Sequence, residues 1–94
     1  MTIGEVHSKL DALIKGFPES GYESVPDSVI AELDSFVPEA AGLGMKSGKE
    51  LIENLVKSLK TRKTGGNTDD SVLVRATALD FYLQNLPNEA VENL

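Results

Sequence analysis

The sequence has no cysteine and only one histidine among its 94 residues. Without cysteine there is no disulfide framework, no thiolate metal site and no cysteine nucleophile. With His7 alone, the nitrogen and sulfur donors that zinc generally takes are missing, and no EF-hand spacing stands in for them. A Ser-His-Asp arrangement cannot be picked out either, because any serine and any acid would fit equally badly. No enzyme, cofactor or metal is therefore expected. No apolar run reaches the ~18 residues of a spanning helix, and "MTIGEVHSKL" lacks the organisation of a signal peptide. Small secreted domains lean on disulfides, so their absence favours a reducing compartment, and a cytoplasmic protein is expected.

Positive charge is also scarce. Nine bases face fifteen acids, a net charge of −6. Nucleic acid and anionic membranes attract positive surfaces, so neither is the expected partner. The imbalance is uneven: residues 1–45 carry two lysines against eight acids, residues 46–63 six bases against two acids, and residues 64–94 one base against five acids. One basic segment sits inside an acidic chain.

What is present is helical periodicity. The length suits a single domain, residues 1–94, and 40% of the residues are hydrophobic, enough for a core. Thr2 to Glu5 reads as a capping box, with Ile3, Val6, Leu10, Leu13, Ile14 and Phe17 recurring behind it on one side. Pro18 ends that helix. Pro26 suits the first position of a second helix and Asp27 its first turn. Val29, Ile30, Leu33, Phe36 and Val37 form its apolar face. Pro38 interrupts it, and because Ala40 and Leu43 stay near the same face, a kink or a restarted turn is expected there.

The stretch "GLGMKSGKE", Gly42 to Glu50, has the composition of a phosphate-binding loop but not its spacing. Leu43 stands where the first glycine is needed, Glu50 where the metal-binding hydroxyl is needed, and no strand-like run precedes it. Read structurally, Gly42 or Gly44 ends one helix in a left-handed conformation, and Ser47 to Glu50 opens the next as a second capping box.

The third helix then carries Leu51, Ile52, Leu55, Val56 and Leu59 on one face. Lys49, Lys57, Lys60, Arg62 and Lys63 are its candidate anion-binding residues. Lys49 and Lys57 can pair with Glu53 at four-residue spacing, and the last three suit the helix C-terminus. A nucleic-acid-associated role through this helix is the alternative function. Against it stand the interleaved Glu50 and Glu53 and the lack of a nearby aromatic to stack a base. Balancing the acidic neighbours is the simpler role.

After "TGGN", Asn67 or Thr68 caps a fourth helix with Asp69 and Asp70 in its first turn, where the helix dipole favours negative charge. It has two apolar faces. Val72, Ala76, Leu79, Leu83 and Leu86 form one. Val74, Ala78 and Phe81 form another, nearly opposite, with Thr77, Asp80 and Gln84 as a narrow polar stripe. A helix apolar almost all round is either central to the fold or covered by something else. Val74, Ala78 and Phe81 are thus either core or a contact for another chain. Arg75, at the edge of the first face, is expected to snorkel or pair with an acid. His7, at the border of the first helix's apolar face, is expected to be half-buried and structural. Residues 87–94 form a ragged last turn or a frayed tail.

Leu10, Leu33, Val56 and Leu79 recur every 23 residues. Their flanks match poorly, so this spacing is read as equal helix lengths and not as duplication. The expected fold is all-α: a compact bundle of four helices, mostly antiparallel. Adaptor, inhibitor, antitoxin-like and immunity-like proteins share its size and charge, an analogy that gives no function. The expected function is non-enzymatic binding of another protein or of a second copy of the chain.

Overall fold

Thr2 starts the first helix as its spacing predicts. Its hydroxyl accepts the Glu5 backbone N–H at 3.1 Å, and the Glu5 carboxylate accepts the Thr2 N–H at 3.3 Å. The reciprocal bonds satisfy two donors that the first turn cannot pair internally. The computed structural model describes residues 2–17, 22–66 and 68–85. Within them the chain forms Ile3–Lys15 (α1), Asp27–Gly42 (α2), Lys46–Lys63 (α3) and Asp69–Gln84 (α4), with a 3₁₀ turn at Tyr22–Ser24. Pro18, Asn67, Leu86 and the tail 87–94 lie outside the described residues.

Two expected boundaries move. Pro26 is the N-cap of α2, one residue before the first helical position. Met45 is the N-cap of α3, with no side-chain cap bond, so Ser47 lies inside the first turn and does not cap it. The preceding turn explains the shift. Gly44 has φ of 77°, the Met45 N–H donates to the Ala40 carbonyl at 2.9 Å, and the Gly44 N–H to Ala41 at 3.2 Å. This is the glycine-terminated helix end with its two reversed hydrogen bonds. Met45 and Ala40 are both fully buried, the apolar contact that accompanies such an end. A three-residue turn thus closes α2 and opens α3, leaving Ser47 no cap position to fill.

Helix α2 runs unbroken through Pro38, with no restart. Proline there has no N–H to give to the Asp34 carbonyl. Both residues are exposed, which leaves that carbonyl open to water.

The helices form a ring. Helix α3 packs between α2 and α4, and α1 closes the ring against the same two. Among the described residues the backbones of α1 and α3 do not meet, nor do those of α2 and α4. Neighbours run antiparallel. Lys63, at the end of α3, reaches Asp27 at the start of α2, while their other ends share the Gly44 turn. Gly48, early in α3, lies beside Tyr82, late in α4. Along α1, Asp11 meets Gln84 and Lys15 feels Asp80, so the order on α4 is reversed. Leu10, Leu33, Val56 and Leu79 are all buried, one from each helix. The 23-residue spacing therefore delivers one core residue per helix. Val25 and Met45 join the core from the connections.

Candidate functional site

Helix α4 is built from its N-terminus. The Thr68 hydroxyl accepts the Ser71 N–H at 3.4 Å, and Asp69 and Asp70 occupy the first turn. Val72, Ala76, Leu79 and Leu83, at three- and four-residue steps, are buried. That face is satisfied by α3, α1 and the 3₁₀ turn.

The opposite face is not covered. Val74 is 64% and Phe81 71% exposed, and Ala78 is half-buried between them. Leu73, 50% exposed, and the exposed Thr77 complete one continuous surface with these three. The reading of α4 as the central helix wrapped by the others is corrected here. Each helix of the ring has two helical neighbours, and α4 packs on α3 and α1 while its apolar back faces outward. Leu73, Val74 and Phe81 are the only large apolar side chains left exposed among the described residues. Sequence periodicity did not single out Leu73. Its spacing of four to Thr77 and eight to Phe81 was the available signal.

The candidate anion-binding residues divide into two groups. Three make ion pairs within the chain. Lys49 pairs with Glu53 at 3.1 Å. The Arg62 guanidinium donates to Asp69 at 2.8 Å. Lys63 donates to Asp27 at 2.7 Å and to the Val25 carbonyl at 2.9 Å. The Asp69 carboxylate also accepts the Tyr22 backbone N–H at 3.3 Å, and Tyr22 stacks edge-on to Phe17, with ring centroids 5.7 Å apart. The end of α3 and the start of α4 thereby tie down the segment leading into α2. The hydrogen bond from Arg62 holds the Asp69 carboxyl below the usual carboxylate range, and burial pushes the Tyr22 phenol up. Lys57 and Lys60 remain, both exposed and with no ion pair to a described residue. They border a mixed-charge groove that also includes Asp34 and Glu53.

His7 is half-buried, as its border position predicts. Arg75, expected to snorkel or to pair with an acid, is exposed and makes no ion pair with a described residue. Among the described residues no cluster of three histidine or acidic side chains could hold a metal ion. None of the described helices is long and apolar enough to cross a membrane. Lys49 lies in the first turns of a helix that opens at a tight glycine turn, and its amine pairs with Glu53. No family model matches the chain, and no curated protein or solved structure resembles it significantly.

Proposed function

We propose that the chain is a small non-enzymatic domain that works by docking another protein, through the outer face of α4. Val74, Ala78 and Phe81 carry the contact, with Leu73 and Thr77. One observation supports this above the rest: the exposed large apolar side chains of the described residues all fall on that single face. Full burial of a phenylalanine is worth ~1.5–3 kcal/mol, a gain that the bundle forgoes at Phe81 and that a partner would recover. Scattered exposed apolar residues need no explanation, whereas a contiguous set on one helix marks an interaction surface. The cysteine-free, acidic composition fits a cytoplasmic protein. The nucleic-acid reading is the weaker one, since Lys49, Arg62 and Lys63 are already engaged within the bundle.

The test is affinity capture from the native source with three baits: the unaltered chain, Phe81→Glu, and Lys57→Ala/Lys60→Ala. A protein retained by the first and third baits and lost with Phe81→Glu supports the reading, provided that Phe81→Glu keeps its helical circular dichroism. Retention that depends on the lysines and disappears at high salt would instead promote the nucleic-acid role.

A further inference from the structure

We draw no further inference here: the strongest candidate, the apolar outer face of α4 formed by Leu73, Val74, Thr77, Ala78 and Phe81, belongs to the site already described, and nothing in the structure shows what covers it.

Discussion

Tyr82 lies so close over Gly48 that a Cβ built on residue 48 would stand 2.9 Å from its Cε2 and 3.2 Å from its Cζ. Glycine in the first turn of α3 is therefore what lets the end of α4 close against it. Gly48→Ala gains ~0.8–1 kcal/mol of helix propensity but overpacks this approach, which costs ~1–3 kcal/mol. The overpacking wins, and a net loss of ~1 kcal/mol is expected. Gly42→Ala is the control: it is helical, its φ is not positive, and nothing lies within 4 Å of an added Cβ. That variant should gain up to ~1 kcal/mol. Thermal melts should move in opposite directions, by roughly 4–8 °C for each kcal/mol. Equal shifts would remove the role given to the approach of Tyr82.

Pro38→Ala should stabilise the chain. The ring removes one helix hydrogen bond and crowds the preceding turn, a penalty of ~3 kcal/mol in an unbroken helix. Proline gives back ~0.4–1 kcal/mol by stiffening the unfolded chain. The difference leaves a gain of ~2 kcal/mol, and the core stays as it is because Pro38 is exposed. Urea denaturation would check it through a higher midpoint at unchanged slope. A lower midpoint would show that the proline is matched to the local geometry of α2.

Leu79 and Leu73 provide a same-residue comparison on one helix. Leu79 is fully buried, and Leu79→Ala should cost ~2–5 kcal/mol. Leu73 is half exposed, and Leu73→Ala should stay within ~0.5 kcal/mol when measured on dilute protein. Comparable losses at both positions would mean that the outer face of α4 is packed.

Acid should release the tie between Asp69, Arg62 and Tyr22. The folded Asp69 carboxyl is held below its unfolded value, which is about 3.9. Its contribution is therefore fully present above roughly pH 4 and is lost as pH falls through the lower, folded value. Asp69→Asn should melt below the unaltered chain at neutral pH, and the gap should close towards pH 2–3. A gap independent of pH would show that charge at this position is not what holds the segment.

ATP or GTP should leave the melting temperature unchanged, since Gly44 and Met45 use their backbone N–H groups on Ala41 and Ala40. A ligand that binds only the folded chain raises its stability by ~2.7 kcal/mol at 100-fold excess over its dissociation constant. A shift of that size, abolished by Lys49→Ala, would reopen the nucleotide reading.

The capping box at Thr2 and the inward rows on α1, α2 and α3 were legible in the sequence. These are local or strictly periodic signals: a hydroxyl bonds three residues ahead, and apolar residues at helical steps must share a face. The helix end within "GLGMKSGKE" was legible too, because Gly44 is free to take the left-handed conformation that closes α2. The N-cap at Met45 was not. It follows from a turn in which one residue ends α2 and opens α3 at once, and no single-helix signal carries that. Burial of Val25 and Met45, both outside periodic segments, escaped for the same reason.

Which face of α4 points inward lay beyond the sequence. Both faces are apolar, so their contributions to its amphipathicity cancel, and periodicity has no preference between Val72–Ala76–Leu79 and Val74–Ala78–Phe81. Packing chose. In the folded chain the Leu79 side is buried, Tyr82 lies close over Gly48 of α3, and Phe81 stays in solvent. The bases divided likewise: helix spacing placed Lys57, Lys60, Arg62 and Lys63 within two turns, but only the turn into α4 brought Asp69 to Arg62, and only the return of the chain past the end of α3 brought Val25 and Asp27 to Lys63. Sequence periodicity fixes contacts within a helix, where the spacing is the geometry. Contacts between helices depend on how whole faces meet, and that emerges only when the chain is folded.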